Sequence, residues 1–128
     1  MSIAHVALWT KDIERIAAFW VGFLGAEAGA VYESRRRPGF RSHFLTLGAG
    51  PSIEVMEGPW LAPPEGPEVE RAGYAHVALS LGSAQAVDDL AARAERQGLL
   101  VSEARWTGDG FYEAVIRDPD GNLIEITI

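Results

Sequence analysis

The chain has 128 residues, 48% of them hydrophobic, with no cysteine and a formal net charge of −7 at pH 7. That composition suits one folded domain, or two small modules sharing a core, and it lacks the basic face that nucleic acid requires. It also excludes disulfides and thiolate metal sites, and no run of about 18 apolar residues is present to cross a bilayer. The N-terminus has no basic segment followed by an apolar one, so no signal peptide is expected and the expected location is cytoplasmic.

In chain order, residues 3–9 alternate as a strand does. Val6 and Leu8 point one way, and Ile3, His5, Ala7 and Trp9 the other. Thr10 is placed to cap the next helix, with Asp12 and Glu14 at the positive end of its dipole. Ile13, Ile16, Ala17, Trp20, Phe23 and Leu24 form its apolar stripe, which stops at Gly25. A strand is expected over Ala28–Tyr32, then a basic loop (Arg35-Arg36-Arg37-Pro38-Gly39), then strands over Arg41–Leu47 and Ser52–Met56.

The segment from Gly58 to Gly73 carries four prolines and no clear period, and it reads as a linker between a module of about residues 1–57 and another of about 74–128. The second module repeats the first. A strand spans Tyr74–Leu81, and Ser83 caps a helix that buries Val87, Leu90, Ala91 and Ala94 and ends at Gly98. Strands follow over Leu99–Trp106, Phe111–Arg117 and Leu123–Ile128, the last two joined by the turn Asp118-Pro119-Asp120-Gly121-Asn122. The expected fold is α+β: two paired βαβββ modules forming a cupped mixed β-sheet with the helices outside, since neither module buries both its helix and its sheet alone.

One offset of 71 residues relates the halves. It carries Ile3-Ala4-His5-Val6-Ala7-Leu8 onto Tyr74-Ala75-His76-Val77-Ala78-Leu79, and Ile53-Glu54-Val55 onto Ile124-Glu125-Ile126. By alternation, His5, Glu54, His76 and Glu125 all project away from the helix-packing rows. A lone histidine in a strand is more often a hydrogen-bonded core residue than a ligand. Here two histidines recur with two glutamates, and buried unpartnered carboxylates are unfavourable. Two imidazoles and two carboxylates suit one divalent ion such as Zn, Ni, Co, Fe or Mn, with further positions open to water or substrate.

These motifs, with Asp118-Pro119-Asp120-Gly121-Asn122-Leu-Ile-Glu125 the most specific, resemble the vicinal oxygen chelate superfamily over essentially the whole chain. The resemblance is greatest to its small glyoxalase I-like members. It implies His5, Glu54, His76 and Glu125 as metal ligands, and a homodimer whose sites lie within one chain or are shared between two. It implies a lyase or isomerase that abstracts a proton from a small α-hydroxycarbonyl-type substrate and passes through a metal-stabilised enediolate. Glu125 is the implied base, with Glu54 the second catalytic carboxylate. Dioxygenases of the superfamily use two histidines and one glutamate, so Glu54 favours the lyase or isomerase. The alternatives are such a dioxygenase, or a drug-sequestering protein that binds a small molecule without catalysis. Glyoxalase I carries arginine four residues after its first histidine and asparagine four after its first glutamate, both for glutathione. This chain has Trp9 and Gly58 there, which argues against strict dependence on glutathione.

Strand parity places Ser42, Phe44, Thr46, Glu113, Val115 and Arg117 on the ligand face, and His43, Leu45, Ala114 and Ile116 under the helices. The expected substrate contacts are Trp9, Phe44, Trp60, Glu113 and Arg117. Glu113 reads equally as an ion-pair partner of an arginine. Trp106, Phe40 and Tyr112 read either as pocket lining or as core. The Arg35–Arg37 run reads as a solvated loop, the alternative being a clamp on an anionic substrate.

Overall fold

The structure is a computed structural model that describes residues 1–63, 70 and 72–128. Part of the expected linker, residues 64–69 and 71, lies outside the described residues. The chain divides into two compact units, Met1–Pro64 and Glu65–Ile128.

Unit 1 contains β1 (His5–Thr10), α1 (Ile13–Gly22), β2 (Glu27–Ala28), β3 (Tyr32–Glu33), β4 (Arg41–Thr46) and β5 (Ser52–Glu57). Its strands run in the order β1-β5-β4-β2, with β3 also paired to β4. β1 and β5 are parallel, the crossover between them passing through α1, and β4 and β5 are antiparallel. Unit 2 contains β6 (His76–Ser80), α2 (Ala84–Arg96), β7 (Leu100–Trp106), β8 (Tyr112–Arg117) and β9 (Leu123–Thr127), in the sheet order β6-β9-β8-β7. The first residues of β1, α1, β4 and β5 recur 71 positions later as the first residues of β6, α2, β8 and β9. The repeat read in the sequence is therefore a repeat of structure, and the α+β class of two βαβββ-type modules holds.

Each core is one helix stripe on one sheet face. Ile13, Ile16, Phe19 and Trp20 of α1 are buried with Leu45, Ile53 and Val55 in unit 1. In unit 2, Val87, Ala91 and Ala94 of α2 are buried with Ala114, Ile116, Ile124 and Ile126. His43 lies on the same face as Leu45 and is 9% exposed, as parity required of a structural histidine.

Three local expectations are corrected. Asp12, not Thr10, caps α1: its carboxylate accepts from the Arg15 N–H at 2.9 Å. Thr10 instead closes the turn before the cap, its hydroxyl accepting from the Asp12 N–H and donating to the Asp12 carbonyl. The strand expected over 28–32 is two short pieces, β2 and β3, whereas its counterpart β7 is continuous. Gly29-Ala30 lies in the gap, and these residues have little strand preference. In α1 the buried residue that the stripe reading passed over is Phe19, which stacks on Phe23 with ring centroids 5.3 Å apart.

The β8–β9 turn is held by one carboxylate. Asp118, 1% exposed, accepts from the backbone N–H groups of Asp120 and Asn122 and from the Asn122 side-chain amide, at 2.8–2.9 Å. Gly121 takes the positive φ of 87° that completes the turn. Asp118→Ala leaves three part-buried donors without their shared acceptor and should cost about 1–3 kcal/mol. Chemical denaturation checks this, and a loss below about 1 kcal/mol would contradict the role given to the carboxylate.

Candidate metal centre

The parallel pairing of the first and last strands builds the same two-residue arrangement in each unit. In unit 1, Ala7 lies opposite Glu54, so His5, two residues earlier on β1, is its diagonal neighbour on the same face. In unit 2, Ala78 lies opposite Glu125, and His76 stands in the same relation. The side chains close both diagonals: His5 Nε2 is 3.6 Å from Glu54 Oε2, and His76 Nε2 is 3.3 Å from Glu125 Oε2. Both imidazoles are near half-exposed and both carboxylates mostly buried, at 45% and 16% in unit 1 and 42% and 17% in unit 2.

The 3.3 Å separation in unit 2 is that of two ligands of one ion, and the 3.6 Å separation in unit 1 is slightly wider. Donors about 2.1 Å from a metal at neighbouring coordination angles stand about 3.0–3.4 Å apart. The donor chemistry also fits, since neutral imidazole and carboxylate suit borderline divalent ions. Among the described residues, no three His, Asp or Glu side chains gather as a ready ligand group. Each unit thus presents a pair.

Glu125 sits in a strongly perturbing environment. Burial pushes its carboxyl above the ordinary value of 4.5, and the nearby Glu113 carboxylate pushes it further, while His76 opposes both. Glu113 is itself 15% exposed and 3.9 Å from Arg105 Nη2, so its expected arginine partner is Arg105 rather than Arg117. A cation at His76–Glu125 would relieve the repulsion between these carboxylates. Ser42 holds the place in unit 1 that Glu113 holds in unit 2, and Phe44, opposite Glu54, meets the His5 ring edge-on at 5.5 Å. Val115 is the neighbour opposite Glu125. Arg117 lies opposite Leu123, and its backbone N–H donates to Leu99.

The aromatic candidates divide. Tyr112 donates to Asp88 of α2 at 2.6 Å and lies 5.2 Å from Trp106, so both belong with the helix side of unit 2 and do not line the ligand face. In unit 1, Trp9 and Phe40 meet edge-on at 6.1 Å, and Arg37 lies over Trp60. A cavity of about 350 Å³ opens beside them, lined by Lys11, Gly39, Glu57, Gly58, Pro59 and Leu61. The sequence reading did not find this cavity, because its walls come from turn residues without a period.

The sequence profile of the glyoxalase/bleomycin resistance protein/dioxygenase superfamily matches residues 2–126. An uncharacterized protein of Pseudomonas aeruginosa, PA2024, is 34% identical over 129 residues, spanning 98% of this chain and 87% of that protein. A glyoxylase/bleomycin resistance protein/dioxygenase domain from Frankia superimposes with a TM-score of 0.83 at 18% identity, covering 100% of this chain and 97% of that one. The trypanothione-dependent glyoxalase I of Leishmania major superimposes at 0.78 with 20% identity, covering 99% and 86%. At these identities the two structures speak for the fold alone.

The raised carboxyl of Glu125 makes a prediction about stability. A group whose folded pKa exceeds its unfolded one contributes full stability below the unfolded value, and loses it as pH rises through the folded value. In metal-free protein, Glu125→Gln removes that loss. The variant should melt above wild type near neutral pH, and the advantage should vanish in acid below the ordinary 4.5. Calorimetry across pH measures this. A variant that melts lower than wild type at neutral pH would contradict the assigned cause.

Proposed function

Because the chain belongs to the glyoxalase/bleomycin resistance protein/dioxygenase superfamily, we propose that it is a divalent-metal-dependent, glyoxalase I-like lyase or isomerase for a small α-hydroxycarbonyl or related substrate. The observation that carries this reading is the recurrence of one His–Glu pair per unit at the same register, with donor atoms 3.6 and 3.3 Å apart. The proposed ligands of Zn, Ni, Co, Fe or Mn are His5, Glu54, His76 and Glu125, half the set from each unit. When bound, the ion supplies Lewis acidity for negative charge developing on adjacent substrate oxygens.

Glu125 is the proposed base. Burial and Glu113 raise its pKa, which strengthens it as a proton acceptor. Glu54, at the matching place in unit 1, is the second carboxylate of the pair. Phe44 shields His5 and Glu54 from water on one side, and Trp9, Trp60, Glu113 and Arg117 are the further substrate contacts of the proposal. The proposal includes a homodimer in the cytoplasm. Among the described residues, no helix is long and apolar enough to cross a membrane.

The glutathione carrier is disfavoured on steric grounds. Trp9 stands where glyoxalase I has its arginine. At position 58, where glyoxalase I has asparagine, even a β-carbon would fall 2.6 Å from Trp60 Cε2. Glutathione hemithioacetal should therefore be turned over weakly or not at all by metal-loaded protein, and efficient turnover would contradict this reading of Trp9 and Gly58. Once a substrate is in hand, Glu125→Gln should lower kcat by about 10²–10⁴-fold with the fold intact by circular dichroism. Unchanged turnover would remove Glu125 as the base.

A further inference from the structure

The loop between β3 and β4 delivers a guanidinium to an aromatic platform in unit 1. The loop is closed by its own hydrogen bonds: Arg37 N–H to Ser34 Oγ at 3.1 Å, Phe40 N–H to the Arg37 carbonyl at 3.0 Å, and Ser34 N–H to the Phe40 carbonyl at 3.0 Å. It holds Arg37 Cζ 3.8 Å above the centre of the Trp60 ring, and 5.9 Å from the Trp9 and Phe40 rings. At 3.8 Å from the ring centre the guanidinium is in direct cation–π contact with Trp60. Stacking uses the face of the group and leaves its in-plane N–H donors directed outward.

The platform depends on two glycines. Trp60 folds back over Gly58, and Pro59 packs on Gly39, where a β-carbon would meet Pro59 Cδ at 2.8 Å. Gly39 also has a φ of +83°, which disfavours any other residue.

Charge separates Arg37 from its neighbour Arg41. Arg41 is neutralised by Glu14, by Glu57 at 2.9 Å and by Glu33 at 3.8 Å. Among the described residues, no carboxylate pairs with Arg37. Among the described residues, Arg37 is thus held on an aromatic ring with its N–H donors open to an anion. The platform also lies on the metal-ligand face of the sheet. Trp9 shares that face with His5, and its row, Trp9–Met56, is two residues along from Ala7–Glu54, a step of roughly 7 Å.

We propose that Arg37, stacked on Trp60 beside Trp9 and Phe40, binds an oxyanion (a carboxylate or a phosphate) carried by the substrate roughly 7–13 Å from its reacting oxygens. The identification of that anion as part of the substrate rests on the metal centre proposed above; the binding of an anion at Arg37 does not. In unit 1 the cation thus comes from a loop and reaches over the tryptophan that occupies the strand position.

The test is calorimetric titration of metal-loaded and of chelated protein with glutarate, with inorganic phosphate and with the uncharged glutaramide. Wild type should bind at least one of the two anions in both forms and ignore glutaramide, the tighter anion identifying the oxyanion class. Arg37→Gln should weaken that binding roughly ten- to a hundredfold. Gly58→Ala, which displaces Trp60 and keeps Arg37, should weaken it severalfold. Glutaramide binding as tight as glutarate, Arg37→Gln binding as tight as wild type, or wild type binding neither anion at millimolar concentration would each overturn the proposal. Arg37-dependent binding in protein that takes up no metal would support the anion site and refute the metal centre.

Discussion

The parallel pairing of β1 with β5, and of β6 with β9, sets everything else at the site. A parallel pair needs a long connection, and in each unit that connection includes the one helix. That helix must lie on one face of the sheet, so strand alternation sends Ile53 and Val55, or Ile124 and Ile126, beneath it and leaves Glu54 or Glu125 on the other face. The register then decides which residue of the first strand stands diagonal to the glutamate, and in both units it is histidine. A shift of one residue in either pairing would put the imidazole under the helix and dissolve the pair.

The two pairs share geometry but differ in surroundings. His5 and Glu54 sit against Phe44, while His76 and Glu125 sit with Glu113; burial of Glu125 raises its carboxyl, and the charge of Glu113 raises it further. In the proposed centre, unequal environments would let Glu125 act as the base while Glu54 serves as a ligand. The same asymmetry recurs at a distance from the pairs. Unit 1 has a broken outer strand, a basic loop and a tryptophan platform, whereas unit 2 has the continuous β7.

Much of this was legible in the residues, because period-two alternation and a constant offset of 71 are long-range signals that survive local error. Ile53-Glu54-Val55 is enough to orient Glu54, and the starts of four elements recur in register. What was not legible depends on loops or single contacts. Thr10 and Asp12 are both good cap residues two positions apart, and only the backbone chooses Asp12. The split near Gly29-Ala30 reflects weak strand preference beside a well-paired β4. Trp60 sits in a turn with no period, so nothing in the sequence says that it folds onto Gly58 and receives Arg37. The basic run is exposed, as read, and one of its arginines also rests on an aromatic ring.

The central claim is that four side chains, two from each unit, hold one divalent ion. Its most direct test is metal content after reloading with Zn, Ni, Co, Fe or Mn, compared among wild type, His5→Ala and His76→Ala at equal protein concentration. The account predicts about one ion per site in wild type, with affinity lost by at least tenfold in each variant because both units contribute ligands. Metal retained at full affinity by either variant, or none taken up by wild type under any loading, would contradict it.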